Sequence, residues 1–365
     1  MKKLKLILKP AAGCNLNCKY CYEGSNSGTV MEEHTLRNAI RKSGEVAENI
    51  EILWHGGEPL LAGHGFFRLA AGIEKEVSDE TGAIFENPIQ TNGTLVDDEF
   101  LELFDELDMR PGTSLDGWRE IHDANRIYKN GKGSFDDVIR FIEKRRQRGK
   151  DVGVISVITN LSVDKPEELY YWFKQQGINY QISFLSRSGR AKDTYSELGV
   201  FPEEFAEFVC RTFDVYFPET RNDITISTID RHMDALLRSE DVGVCTHSKT
   251  CQDVYVSIES NGDVYPCPRF SGNREFRMGN INYQHMIELM NSPIKMLLHE
   301  RKAEEIEDCK ECEYIKLCNA GCMHSAYVYT GDFRNKDWLC KAYKVVFDHI
   351  KDRISKELSR IGGGE

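Results

Sequence analysis

The sequence predicts an α/β fold: a parallel sheet of six strands, then a helical connector, then a cysteine-rich C-terminal region. Three observations predict it. Strand-like runs alternate with amphipathic helical stretches to about residue 185, polar glycine-containing segments follow several strands, and eleven of the twelve cysteines fall in tight groups.

The first strand is "LKLILK" (4–9). Its alternation, with Lys5 and Lys9 interrupting the apolar run and no small-residue cleavage site behind it, reads as a strand and not a signal peptide. Further strands are "IEILWH" (50–55), "IFENPIQ" (84–90), "MRPGTSL" (109–115), "VGVISVI" (152–158) and "YQISFL" (180–185). Amphipathic helices over 32–48, 64–80, 97–107, 135–148 and 165–176 separate them. Alternation at this pitch implies right-handed βαβ units and a parallel sheet, open or closed into part of a barrel. Such sheets bind ligands at the carboxyl ends of their strands. "GCNLNCKYCYEG" (13–24), "GGEPL" (56–60), "TNGTL" (91–95) and "SLDG" (114–117) converge there.

Residues 186–240 read as the connector, with "RSGRAKDTYSELG" (187–199) as loop, then helices over 202–217 and 229–238. From 241 the cysteines recur around a hairpin, "DVYVSIESNGDVYPC" (253–267), turning at Asn261-Gly262. The tail, 339–360, is an amphipathic helix followed by glycines. The expected division is therefore 1–185, 186–240, 241–345 and 346–365.

Composition sets bounds on function. With 40% apolar and 29% charged residues in 365, the chain has the balance of a globular enzyme with ample core. No run approaches the roughly 20 apolar residues of a membrane helix, so a cytoplasmic location is expected and no membrane partner. A net charge of −12 disfavours nucleic acid. The basic run "EKRRQRGK" (143–150) reads as a solvated helix end. A chain of this size needs no disulfide staples, so the grouped cysteines point to metal or iron–sulfur ligation. Cys210, alone among phenylalanines, reads as core.

Cys14, Cys18 and Cys21 supply three thiolates without a fourth. A structural zinc site closes its shell with four ligands, whereas three leave one metal position open to a small molecule. The competing reading is a zinc knuckle completed by a distant residue such as His55. The order C-x3-C-x2-C, with Tyr20 inside it, resembles the signature of the radical S-adenosylmethionine (SAM) superfamily. The resemblance implies a partial (β/α)6 barrel in which the open iron of a 4Fe–4S cluster chelates SAM. It further implies that Tyr20 packs near the adenine, and that Gly56, Gly57, Glu58 and Pro59 bind the methionine amino group, with Glu58 as an acceptor. Gln90, Asn92, Ser114 and Arg126 would line the ribose and carboxylate. Arg126 has its own logic, because a guanidinium matches a carboxylate bidentately; the alternative is a surface ion pair with Asp123 or Glu120.

Eight further cysteines are the number two fully ligated clusters require. Their layout, C-x5-C, G-x4-C, C-x2-C-x5-C-x3-C and a last cysteine, resembles the SPASM extension of radical SAM enzymes. That resemblance implies one auxiliary cluster on Cys245, Cys251, Cys267 and Cys322, and another on Cys309, Cys312, Cys318 and Cys340. Three 4Fe–4S clusters and SAM are thus expected, the auxiliary pair accepting electrons. Two zinc sites are the rival.

Within SPASM proteins the layout is similar to anaerobic sulfatase-maturating enzymes, which oxidise Cys or Ser in a polypeptide to formylglycine. Their motif carries an Asp, proposed as base, directly after the cysteine of G-x4-C; here Pro268 and Arg269 follow Cys267. The expectation is therefore a sister activity, a peptide cross-link or related two-electron oxidation, with Asp116 and Asp230 as candidate bases. Sulfatase maturation with a different base is the alternative, and a non-catalytic iron–sulfur or zinc scaffold is a third reading. Arg187, Arg190 and Arg269 would meet acidic groups of a peptide, or lie solvated at the surface. The expected partners are a peptide or protein substrate and a flavodoxin- or ferredoxin-type electron donor. Because the chain starts at strand one, no leader-binding domain is expected to be fused, and leader recognition would need a separate protein or the core itself.

Overall fold

The computed structural model describes residues 1–23, 28–219, 223–240, 244–249 and 251–362. Gly24 of the cysteine motif, 220–222 of the connector, 241–243 at the start of the cysteine-rich region, and the end of the glycine tail lie outside the described residues. The strands are β1 (Lys3–Ala11), β2 (Asn49–Gly56), β3 (Ile84–Glu86), β4 (Pro88–Gln90), β5 (Arg110–Ser114), β6 (Gly153–Ile158), β7 (Tyr180–Phe184), β8 (Tyr255–Ile258), β9 (Asp263–Tyr265) and β10 (Gly279–Asn280). They form one sheet in the order β10-β9-β8-β1-β2-β4-β5-β6-β7, with β3 beside β2. From β1 to β7 every neighbouring pair is parallel. This is the expected partial (β/α)6 barrel: an arc of six strand positions, β1 and β7 lying far apart in the order.

Helices α1 (Glu33–Gly44), α2 (His64–Thr81), α3 (Asp98–Glu106), α4 (Arg119–Asn125), α5 (Phe135–Gln147) and α6 (Pro166–Gln176) fill the crossovers. Their apolar faces bury against the strands: Leu4, Leu6, Leu8, Ile52 and Trp54 join Leu36, Ile40, Phe67 and Ile73 in one core. Each such side chain contributes about 1.5–3 kcal/mol by leaving water. Asp97 caps α3 by accepting the Phe100 N–H at 2.8 Å. Pro166 opens α6, and Gly177, left-handed, closes it.

The cysteine-rich region continues this sheet. β8 pairs parallel with β1, Leu6 facing Val256, and the predicted hairpin adds β9 antiparallel to β8. Behind the connector helices α7 (Ala191–Leu198), α8 (Pro202–Tyr216) and α9 (Ser227–Arg238), the C-terminal helix Cys340–Gly362 packs on α8. Cys210 is buried in α8, as expected.

Three local expectations are corrected. The strand read over 84–90 breaks at Asn87, whose side chain accepts Trp54 Nε1–H at 2.8 Å and donates to Glu74 at 2.7 Å. The stretch read as loop over 187–199 contains α7, which packs on the first cysteine loop. The basic run at 143–150 is not merely solvated: Arg145 is buried, and with Arg148 and Lys150 it surrounds Asp105 at 2.8, 3.0 and 3.1 Å.

Candidate active site and metal centres

The loop that leaves β1 carries Cys14, Cys18 and Cys21, and other segments hold its backbone in place. Asn17 N–H donates to Ile127 O (2.6 Å) and Lys19 N–H to Asn125 O (3.0 Å). From the start of α7, Arg190 donates its N–H to Cys21 O (2.8 Å) and its guanidinium to Cys18 O (2.6 Å). Burial pushes the Cys14 thiol up to about 12 and the Cys18 thiol up to about 11. Thiols so buried lose their protons when a bound metal replaces them.

The end of β2 meets this loop at van der Waals limits. A Cβ on Gly57 would sit 2.1 Å from Gly13 O, and Gly56 has φ +112°. Glu58 N–H donates to the same Gly13 carbonyl at 2.8 Å. The Glu58 carboxylate is wholly buried and fully engaged, accepting from Leu60 N–H (3.0 Å), the Thr91 hydroxyl (2.7 Å) and Asn92 N–H (2.7 Å). Burial nevertheless pushes it up to about 7. Where the family resemblance implies that Glu58 offers an acceptor to a ligand, its oxygens here lock the end of β2 to the segment that leaves β4. Pro59 opens a buried turn beside it.

At the other strand ends, Asn92 donates to Asn15 (2.8 Å) and to the Cys14 sulfur (3.7 Å), and Gln90 lies 3.4 Å from the Ser114 hydroxyl. Arg126 is not at the surface. Its Nε donates to Asp116 at 3.1 Å, and its guanidinium lies 5.3 Å from the centre of the Tyr20 ring. The Tyr20 hydroxyl donates to the same carboxylate, and Val157 N–H completes the set at 3.1 Å. Asp116, wholly buried with these three partners, is corrected from candidate base to the anion that fixes Tyr20 and Arg126. Asp230, the other candidate base, lies on α9 and accepts the Tyr216 hydroxyl of α8 at 2.8 Å.

The remaining cysteines separate into two quartets. A cavity of about 670 Å³ is lined by Cys245, Cys251, Cys267 and Cys322, with Arg269 and Arg301 in its wall. An apolar pocket between Tyr314 and Phe347 is lined by Cys309, Cys312, Cys318 and Cys340. The interleaved partition expected from family resemblance is thus a spatial one. Arg301 clamps the intervening loop through the carbonyls of Ala320 (2.8 Å) and Gly321 (3.1 Å). None of the twelve cysteines is in a disulfide. Thiol sets of three, four and four, each gathered on one loop system or cavity, fit three iron–sulfur clusters. Gly56 and Gly57 let the end of β2 close on Lys9 and the Gly13 carbonyl, which seats it against the first cysteine loop. His55, the alternative fourth ligand, has its Nδ1 engaged by Gly56 N–H at 2.7 Å and faces the Tyr22 hydroxyl at 3.2 Å.

A second cavity, about 560 Å³, lies between the first cysteine loop and the segment after Cys267. Tyr22, Glu23, Lys192, Glu259, Arg269 and Tyr327 line it. Of the arginines expected near a peptide, Arg269 reaches it. Arg190 is spent on the cysteine loop, and Arg187 stacks 5.8 Å from the centre of the Tyr195 ring. Sequence reasoning missed Lys9, Glu23, Glu259, Arg301 and Asp337, because each gains the neighbours that matter only on folding.

Residues 8–173 match the profile of the Radical SAM superfamily, and 245–313 that of an iron–sulfur cluster-binding domain, SPASM. The serine-type anaerobic sulfatase-maturating enzyme of Bacteroides thetaiotaomicron is 31% identical over 98% of this chain and 92% of its own. The chain belongs to the radical SAM superfamily and carries a SPASM domain. This radical SAM/SPASM protein is also 28% identical to the cysteine-type anaerobic sulfatase-maturating enzyme of Clostridium perfringens strain 13, over 97% and 98% of the two chains. Its fold superposes on native anSMEcpe with bound AdoMet and Kp18Cys peptide at a TM-score of 0.86, with 26% identity, covering 98% and 99% of the chains. Among the described residues no helix is long and apolar enough to cross a membrane.

Proposed function

We propose that this radical SAM/SPASM protein oxidises a Cys or Ser side chain of a polypeptide by two electrons, as a sulfatase-maturating enzyme making formylglycine. The observation that carries the reading is the 560 Å³ cavity. It joins the loop after Cys21 to the segment after Cys267, so a peptide side chain placed there lies between the first cysteine set and the first auxiliary set. End-to-end similarity to both serine-type and cysteine-type enzymes supports the same substrate class.

In this reading Cys14, Cys18 and Cys21 hold the SAM-binding cluster, and the two quartets hold the auxiliary clusters. SAM held there would supply, as a 5′-deoxyadenosyl radical, the acceptor for a hydrogen atom of the substrate carbon. The chain's own work is placement. Gly56 and Gly57 admit the methionine end, Gln90, Asn92 and Ser114 border the ribose, and Pro59 holds the turn. Asp116 fixes Tyr20 and Arg126 in the wall beside Cys18. A flavodoxin- or ferredoxin-type protein supplies electrons.

One observation favours a second reading, a peptide cross-link with leader recognition by the core or a separate protein: no proton acceptor directly follows Cys267. The test is anaerobic incubation with SAM, dithionite and a Cys-x-Pro-x-Arg or Ser-x-Pro-x-Arg peptide, with hydrazide capture of the aldehyde. Aldehyde formation is expected. Steady deoxyadenosine release without aldehyde from either peptide would overturn the maturase reading in favour of the second.

A further inference from the structure

The oxidation proposed above has a proton left to place. Converting –CH2–XH to –CH=X, where X is S or O, removes two protons and two electrons; where X is S, water then replaces the sulfur, released as hydrogen sulfide, to give the aldehyde with no further redox change. One of each leaves as the Cβ hydrogen atom, taken by the adenosyl radical. The other electron goes to an oxidised iron–sulfur cluster. The X–H bond then breaks, its electron pair staying to complete the C=X double bond, and the proton requires a base within hydrogen-bond reach. Neither Pro268 nor Arg269 can take it, and neither Asp116 nor Asp230 lines the 560 Å³ cavity.

We propose that Glu259, positioned by Lys9, is that base. Two carboxylates, Glu23 and Glu259, line the cavity. Lys9 lies between them, only 2% exposed on β1, at 2.7 Å from Glu23 Oε1 and 3.0 Å from Glu259 Oε1. One buried cation against two carboxylates leaves this trio with a net charge of −1, so a proton taken by Glu259 brings the three groups to neutrality, while Lys192 and Arg269 line the rest of the cavity. The two acids differ in freedom. Glu23 offers both oxygens to Lys9, the second at 3.0 Å. Glu259 gives Lys9 one oxygen, and its Oε2 makes no hydrogen bond among the described residues.

The backbone gives Glu259 a fixed direction. It follows β8, donates its N–H to Asp263 O (2.9 Å) and accepts Gly262 N–H (2.8 Å), so the hairpin turn holds it. β8 in turn pairs with β1, with Leu8 opposite Ile258, which brings Lys9 to its neighbour. Sheet continuity between barrel and cysteine-rich region therefore builds the pair, and Lys9 is a positioning residue while Glu259 meets the substrate.

The inference rests on the two-electron oxidation, and the experiment separates the two. Aldehyde and deoxyadenosine are counted in the same anaerobic reaction with the Cys-x-Pro-x-Arg peptide, for the wild type, Glu259→Gln and Glu259→Asp. Iron content and peptide affinity by fluorescence anisotropy are read alongside. E259Q keeps the shape without the basicity and is expected to lower aldehyde per deoxyadenosine about 100-fold or more, with E259D recovering part and peptide affinity preserved. An unchanged ratio in E259Q would overturn the assignment. So would loss of iron or peptide affinity in E259Q, which would make Glu259 structural, or uncoupling by Glu23→Gln with E259Q intact. A wild type that releases deoxyadenosine and makes no aldehyde would sink the oxidation itself, and this base with it.

Discussion

The Asp337 carboxylate accepts the backbone N–H of Cys322 at 2.8 Å. Asp337 also accepts the Cys340 N–H at its own carbonyl (3.0 Å), so one buried residue ties a member of each cysteine quartet. Its carboxylate takes Ser325 and Leu339 as further donors. Asp337→Asn would turn one acceptor into a donor facing these N–H and O–H groups, at a cost of about 1–3 kcal/mol for each buried group left unsatisfied. The expected result is a lower melting temperature and less iron and sulfide per chain after identical anaerobic reconstitution. Wild-type iron content in D337N would show that the tie is dispensable.

Arg126 and Asp116 form a buried pair at 3.1 Å. Removing one partner leaves a buried charge, which typically costs about 3–5 kcal/mol. Arg126→Gln and Asp116→Asn are each expected to destabilise by that order. The double variant is expected to lose much less than the sum of the two. Additive losses in anaerobic melts would mean the two groups act independently.

Gly57 and Gly72 make a matched test of close approach. A Cβ at Gly57 meets backbone at 2.1 Å, whereas at Gly72, exposed in α2, it meets nothing within 4 Å. Gly57→Ala is expected to abolish SAM binding, read by equilibrium dialysis, because the β2 end must leave the cysteine loop. Gly72→Ala is expected to stabilise by about 0.5–1 kcal/mol through helix propensity alone.

Glu74 carries a pH dependence. Burial, opposed by its hydrogen bond from Asn87, pushes its carboxyl up to about 7 from an ordinary 4.5. Because the folded value is raised, the unfolded chain releases its proton first as pH increases. This group's penalty is therefore absent below about pH 4.5, grows through the interval, and is complete above about pH 7, on the order of 3 kcal/mol. Glu74→Gln keeps an acceptor for Asn87 and is expected to raise the melting temperature at about pH 8 but not at about pH 4.5. Equal shifts at both pH values would assign the effect to packing.

The strand–helix order of the barrel was legible because each element buries its own apolar face, and periodicity reports burial directly. So were the cysteine sets and the GGEP and QTNG segments, since a chain turning at a strand end carries its ligands close in sequence. What was not legible depends on contacts made across the sheet. Helix α7 is short and polar, and its place comes from capping the first cysteine loop through Arg190. Asp116 reads from the sequence as a free acid at a strand end, yet three donors from distant segments consume it. Lys9 looks like a strand-edge lysine until β8 lies beside β1.

By itself the sequence determined the α/β class, the three-thiol loop, and the number of clustered cysteines. These depend on residues a few positions apart. The tertiary structure alone decided which carboxylates are spent and which remain, and which thiols share a cavity. Charge balance and burial are sums over everything within a few ångströms, and at this site those neighbours come from up to some 250 residues away, as Lys9 and Glu259 do.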